Sequence, residues 1–283
     1  MQHPTTYRLP DTIVVGPQRT GTTWLYQNLT NQVGLPKDVK ETLFFDKFYH
    51  QGIDWYANLF QHCPPGLPIV EVAPSYFHSA EARERIHRHI PGCRIICILR
   101  CPVERAYSLY RLLRFYGQTD LSFEEAFQDI PLIKDSSRYA THLSAWQQKF
   151  GRKQILVFFF DDLKRDPRQY LQEIGNVINL PNLQLNDDIL KKPEKETLSR
   201  NTWLAPLATK FGLFLRARQR YGIINFATRL GLRKFFFEGG GDLPPLAPET
   251  KLKLRAYFQP EVERLEELLG CDLSRWKVEA SHR

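Results

Sequence analysis

Four short apolar runs, each set off by stretches of helical spacing, constrain this chain more than any other feature. They are Thr12-Ile-Val-Val-Gly16, Ile69-Val-Glu-Val72, Cys93-Arg-Ile-Ile-Cys-Ile-Leu99 and Ile155-Leu-Val-Phe-Phe-Phe160. Each is short and nearly continuous in hydrophobicity, which predicts strands buried on both faces. Between them Gly21 to Val33 places Trp24, Leu25, Leu29 and Gln32 at helical spacing, and Ser79 caps a charged helix through Ile90. Further helices are predicted from Pro102, over about Ser137–Phe150, from Pro167 to Ile178, and from Pro248 to Leu269, ending at Gly270. Strands alternating with helices predict an α/β fold, a single domain with a central parallel sheet flanked by helices. The 283 residues suit one such domain. Pro181 to Pro245 is expected to mix loops with short helices, and no internal repeat or low-complexity linker interrupts the chain.

Charge is unevenly placed. Lys and Arg total 39 against 31 Asp and Glu, a net +8. From Thr197 to Phe237 there are eight basic residues (Arg200, Lys210, Arg216, Arg218, Arg220, Arg229, Arg233 and Lys234) and no acidic one. Such a field favours an anionic partner, or is simply a solvated cationic face. No apolar run approaches the ~18–20 residues of a membrane span, and Met1 to Pro10 lacks the pattern of a signal peptide. Five scattered cysteines without Cys-x-x-Cys suggest neither a disulfide framework nor a zinc site. The expectation is a soluble, cytoplasmic protein of a reducing compartment, with no membrane partner.

Chemistry is expected at the first strand-to-helix turn, Gly16-Pro-Gln-Arg-Thr-Gly-Thr-Thr-Trp24. Its Gly16-x4-Gly21 spacing is that of a loop presenting backbone N–H groups and a helix N-terminus to an anion. A nucleoside-triphosphate loop would continue with Lys and then Ser/Thr; here Thr22 and Thr23 follow, and the cation is Arg19. After the strand ending at Leu99 comes Arg100 rather than a Mg²⁺-holding aspartate. Arg100, beside a helix start, suits a phosphate, and Ser108 reaches the same anion if the chain folds back. Two anion sites on adjacent strands suit a nucleotide charged at both ends of its ribose. A third cluster, Lys40-Glu-Thr-Leu-Phe-Phe-Asp46, sets a carboxylate beside a lysine and an aromatic pair. That composition fits a general base in an apolar wall, but more readily two core phenylalanines beside a helix-start or surface acid.

Together these segments resemble the sulfotransferases that use 3′-phosphoadenosine 5′-phosphosulfate (PAPS). Pro17 to Trp24 looks like their P-loop-like phosphosulfate-binding turn, with Arg19 where most members carry lysine. The resemblance implies that Gln18, Arg19, Thr20, Gly21, Thr22 and Thr23 hold the 5′-phosphosulfate, and that Trp24 stacks on adenine as in cytosolic members. Arg100 and Ser108 fall on the 3′-phosphate motif. Lys40 to Asp46 looks like the heparan-type Lys-Glu-x-x-Phe-Phe segment, whose glutamate is the catalytic base. Glu71-Val-Ala-Pro-Ser-Tyr-Phe77, Leu254-Arg-Ala-Tyr-Phe-x-Pro260 and Asp272-Leu-Ser-Arg-Trp276 extend the resemblance over most of the chain outside about residues 181–231.

The departures are specific. Val72 stands where heparan-type enzymes usually have a lysine, and their late Lys-Gly loop is here Glu238-Gly-Gly-Gly241, so Arg233 and Lys234 are the stand-in cations for the 3′-phosphate. The disulfide near that loop has no counterpart, nor does a membrane anchor, which fits a bacterial enzyme. The resemblance thus implies one sulfotransferase domain over residues 1–283, with about 181–246 as a variable, basic acceptor-side segment. Sulfuryl transfer from PAPS, without a metal, would use Glu41 as base, Arg19 to stabilise the leaving nucleotide, and Lys40 and Asp46 to orient Glu41. His78 is a reserve base or a structural residue. The expected acceptor is a small natural product, with a heparan-like glycan as the alternative; nucleic acid is not expected. A P-loop kinase and a non-catalytic polyanion binder are the competing classes, the latter distinguished by affinity that falls steeply with salt.

Overall fold

The computed structural model describes residues 7–190, 204–231 and 243–278. Four strands, β1 (Thr12–Gly16), β2 (Val70–Val72), β3 (Arg94–Leu99) and β4 (Ile155–Phe159), form one parallel sheet in the order β2-β1-β3-β4. Thr12 and Val14 pair with Val70 and Val72 on one side; Ile95 pairs with Ile155 at the far strand. All four runs predicted as strands are therefore strands. The last ends one residue early, because Phe160 opens a helix instead.

The described chain forms two compact units. The first comprises Met1–Leu99 and Trp146–Pro193, the second Arg100–Ala145 and Glu194–Arg283. The first contains the sheet together with α1 (Thr22–Leu29), α2 (Ile53–Asn58) and α3 (Ala80–His89). Helix α1 stops at Leu29, short of Val33, because Thr30 turns to extended backbone and Asn31 is left-handed. Ser79 caps α3 as expected, accepting from the Ala82 N–H. The core packs Val14, Val70, Val72, Ile96 and Ile98 of the sheet against Leu25 and Leu29 of α1. Burying each such side chain contributes about 1.5–3 kcal/mol, which explains the unbroken apolar character of these strands.

The second unit is helical among its described residues. It begins with α4 (Pro102–Phe115), α5 (Phe123–Asp129), which carries a Ser122/Glu125 capping box, and α6 (Pro131–Asp135). The division between the units falls within α7 (Tyr139–Phe150), after which α8 (Phe160–Arg165), α9 (Pro167–Val177) and α10 (Asp187–Leu190) complete the first unit. The second unit resumes with α11 (Leu204–Ala217), α12 (Tyr221–Arg229) and α13 (Pro248–Leu269), which ends at left-handed Gly270. Short helices within 181–245 were expected; α5 and α6 were not, their apolar residues being too few to show a period. Cys63, Cys93, Cys97 and Cys101 are buried, Cys271 is half-buried, and all five are free thiols.

Candidate active site

The sheet order places a topological switch point between β1 and β3: the chain leaves β1 toward β2 and later returns to the other side as β3. In open parallel sheets ligands bind at the carboxyl ends of the strands at such a point. The loop that follows β1 is residues 17–21. Arg19 (φ 73) and Gly21 (φ 91) are left-handed while Thr20 between them is not. This alternation turns successive N–H groups toward one concavity, an anion-binding arrangement. At Gly21 a Cβ would lie 2.9 Å from the Phe160 ring, so only glycine permits the turn to pack there. Gly21 caps α1 without any side-chain acceptor, leaving the first N–H groups of that helix for a ligand.

The threonines of this loop divide their work. Thr20 is wholly buried and its hydroxyl donates to the Pro17 carbonyl at 2.7 Å, so it shapes the turn. Thr23 Oγ1 accepts from Lys40 Nζ at 3.0 Å, and the same Nζ lies 3.0 Å from Glu41 Oε1. One ammonium thus ties the phosphate-type loop to the candidate base. Trp24 is half-buried and meets the Tyr170 ring edge-on at 6.1 Å. Gln18 Oε1 is buried without a hydrogen-bond partner. A backbone concavity, an arginine, hydroxyls and a helix N-terminus are the donor set a phosphosulfate requires, and they fit it.

Beyond Glu41 the chain enters a single π-helical turn, Phe44–Phe48, through Leu43 in the left-handed region (φ 55). Phe44 and Phe45 are fully buried and pack on Tyr56 at 4.7 and 5.0 Å. They are therefore core residues, packed among the aromatic side chains of this unit. Asp46 is largely buried; burial pushes its carboxyl above the usual range, and the Ser75 hydroxyl and Lys47 oppose that shift. Its Oδ1 has no hydrogen-bond partner. Lys40 contacts Glu41 directly, and Asp46 lies largely buried in the π-helical turn.

Beneath this turn lies Glu71, wholly buried in β2. Oε1 accepts from Thr42 Oγ1 at 2.5 Å and from Tyr76 OH at 3.2 Å, and Oε2 accepts from Tyr56 OH at 2.6 Å. Burial lifts its carboxyl to about 7, against the pull of those three hydroxyls. Val72, two residues on, is buried in the sheet core, so the position where heparan-type enzymes carry lysine is filled by packing.

In the second unit Arg100 follows β3 directly. Its Nε and Nη2 lie 3.3 and 3.1 Å from Glu104 Oε2, and its carbonyl accepts from Tyr139 OH at 2.8 Å. Glu104 and half-buried Ser108 are four apart on one face of α4. Arg105 is wholly buried, donating to Ser137 Oγ at 2.6 Å and to the Ile133 carbonyl at 2.7 Å. The second arginine of Arg-x-Pro-x-x-Arg therefore holds α6. Arg233, Lys234 and Glu238-Gly-Gly-Gly241 lie outside the described residues.

Residues 9–205 match the family model of the sulfotransferase domain. The chain belongs to the sulfotransferase family. Among relatives, human bifunctional heparan sulfate N-deacetylase/N-sulfotransferase 3 is 34% identical over 61% of this chain and 22% of its own length. Mouse bifunctional heparan sulfate N-deacetylase/N-sulfotransferase 4 is 30% identical over 95% of this chain and 31% of its own. The chain thus spans a fifth to a third of the length of those relatives. A sulfotransferase from Alicyclobacillus acidocaldarius superposes with a TM-score of 0.68, covering 95% of this chain and 99% of that one, at 22% identity. The kinase and polyanion-binder readings have no counterpart in these matches.

For the sulfotransferase the loop after β1 and the Lys40–Asp46 segment share the first unit, linked through Lys40. Sequence reasoning missed two groups. Glu104 occupies the Arg100 guanidinium, and the only signal for it is the four-residue spacing. Glu71 gathers three hydroxyls, and its signal is a carboxylate between two valines in an otherwise apolar strand. His78, the reserve base of the sequence, lies just after the 3₁₀ turn Pro74–Tyr76 that follows β2.

Proposed function

We propose that this sulfotransferase moves the sulfuryl group of PAPS to an acceptor hydroxyl or amine, with Glu41 as general base. The observation that carries the reading is Lys40 Nζ, 3.0 Å from both Thr23 of the phosphate-type loop and Glu41. This contact supports a reading in which the loop holds the donor anion and Glu41 takes the acceptor proton. Bound PAPS supplies an activated sulfuryl group on a phosphate leaving group. The N–H groups of Thr20 to Thr23 and the Thr22 and Thr23 hydroxyls bind its 5′ end, Lys40 orients Glu41, and Glu41 takes the acceptor proton. Arg19 meets the charge that grows on the leaving oxygen. Phe44 and Phe45 form a wall that excludes water. Arg100 and Ser108 are assigned the 3′-phosphate on their motif. The expectation of a bacterial, cytoplasmic enzyme rests on the mixture of branch features alone.

For the acceptor, a glycan carrying negative charge is supported by the heparan sulfate relatives and by the basic residues from Thr197 to Phe237. A small natural product is the second reading, favoured by the apolar, buried Val72 in place of a substrate-side lysine. Mass spectrometry after incubation with PAPS separates them, using N-desulfated heparan fragments against a panel of small amines and alcohols.

The nucleotide assignment has its own test. The product nucleotide, 3′-phosphoadenosine 5′-phosphate, is expected to raise the melting temperature without added Mg²⁺, because a ligand that binds only the native state stabilises it. ATP, lacking a 3′-phosphate for Arg100 and Ser108, is expected to shift it much less. Equal shifts from the two nucleotides would remove those residues from the site.

A further inference from the structure

The Glu71 carboxylate sits at the base of a two-tier hydrogen-bond network. In the first tier the hydroxyls of Thr42, Tyr56 and Tyr76 converge on it. In the second, Thr42 Oγ1 accepts from the Phe44 N–H at 3.1 Å and Tyr76 OH accepts from the Phe45 N–H at 3.3 Å. Each hydroxyl has a single proton. While an ionised carboxylate, an acceptor only, holds those protons, the hydroxyl lone pairs are left facing the two amides. An ionised Glu71 thereby fixes the orientation of the three hydroxyls, two of which carry the backbone that turns through left-handed Leu43. Thr42 is the residue next to Glu41, so this network holds the chain on which Glu41 stands.

We propose that Glu71 is a positioning residue for Glu41, acting through Thr42, Tyr56 and Tyr76 and touching neither substrate nor nucleotide. The inference rests on the reading of Glu41 as the base. A general base works only within hydrogen-bond reach of the proton it takes, and displacement by about 1 Å costs on the order of 10² in rate. Four groups bear on the charge of Glu71: Asp46 in the π-helical turn, Tyr56 on α2, Tyr76 after β2, and Cys93 before β3. None of them is a cation, and burial dominates, raising the carboxyl from 4.5 to about 7. A carboxyl raised on folding favours the folded state while protonated. That contribution is full below about 4.5 and is lost as pH rises through about 7. Stability and positioning therefore make opposite demands on Glu71, and this separates the proposal from a purely structural role.

The test compares Glu71→Gln with wild type in kcat, KM and melting temperature between pH 6 and pH 9. Glutamine keeps the shape but removes the charge: its carbonyl oxygen can still accept from Thr42 and Tyr76, while its N–H₂ meets the Tyr56 hydroxyl, which must then reverse. The expected result is a kcat lowered about tenfold to hundredfold, with the KM for PAPS changed less than about twofold. The melting temperature at pH 8 is expected to match or exceed wild type. In wild type kcat should fall as pH drops through about 7, and in the variant that limb should disappear. Thr42→Val should reproduce the kcat loss, and Thr42→Ser, which keeps the hydroxyl, should restore it. A normal kcat with an unchanged pH profile in Glu71→Gln overturns the proposal, as does a loss explained by a lower melting temperature at pH 8. A fully active Glu41→Gln would instead remove the base reading, whatever Glu71→Gln does.

Discussion

Glu41→Gln is expected to lower turnover by roughly 10²–10⁴-fold, the span associated with a positioned general base, while binding of 3′-phosphoadenosine 5′-phosphate stays near wild type. Glutamine preserves the volume beside the Phe44–Phe45 wall and removes the basic oxygen. Lys40 keeps its contact with Thr23, so the phosphate-type loop should be undisturbed. Single-turnover assays with preloaded PAPS isolate the chemical step from release. His78→Ala serves as the paired control and should keep most of the activity. If the histidine variant is inactive and Glu41→Gln turns over normally, the base lies after β2 and the acceptor does not sit beside the Phe44–Phe45 wall.

Arg19→Ala is expected to cost on the order of 10²–10³ in kcat, the loss typical of a donor aimed at developing charge, together with weaker donor binding. Both constants should move, because one guanidinium meets the ground-state phosphosulfate and the charge that accumulates as the S–O bond breaks. Arg19 also occupies the left-handed region, which for a residue with a Cβ is held only by the surrounding turn. Arg19→Gly therefore makes an informative companion: it removes the cation yet relaxes the backbone, and should be as slow as the alanine variant without being less stable. Near-normal constants in both would make the loop structural.

The strands were legible because full burial leaves a plain signature: four to eight apolar residues with a turn beyond them. The order of the sheet was not, since nothing in Val70–Val72 or Arg94–Leu99 says which side of β1 it takes. Within the site, spacing pointed to the Gly16-x4-Gly21 turn that carries Arg19, whereas Glu41 stood out only through the family resemblance. The link through Lys40 could not be read from the sequence, because Thr23 and Lys40 are 17 residues apart and meet only once β1 and the following turns are in place. Glu71 was hidden for a similar reason. Its three partners come from Thr42, Tyr56 and Tyr76, and a polar residue in a buried strand announces a hydrogen-bonding need without naming who meets it.

The five free thiols divide in a way that gives the molecule a built-in chemical label. Burial raises Cys93 to about 12 and lifts Cys97 further still. Cys63 and Cys101 are buried as well, leaving half-buried Cys271, just past the end of α13, as the thiol nearest solvent. Since the thiolate is the species that alkylates, maleimide chemistry on the native protein is directed to Cys271. A dye attached there reports from the second unit without an engineered cysteine. The other four stay silent until their own surroundings open, three of them in the first unit and Cys101 in the second. Their order of modification would then record which unit yields first.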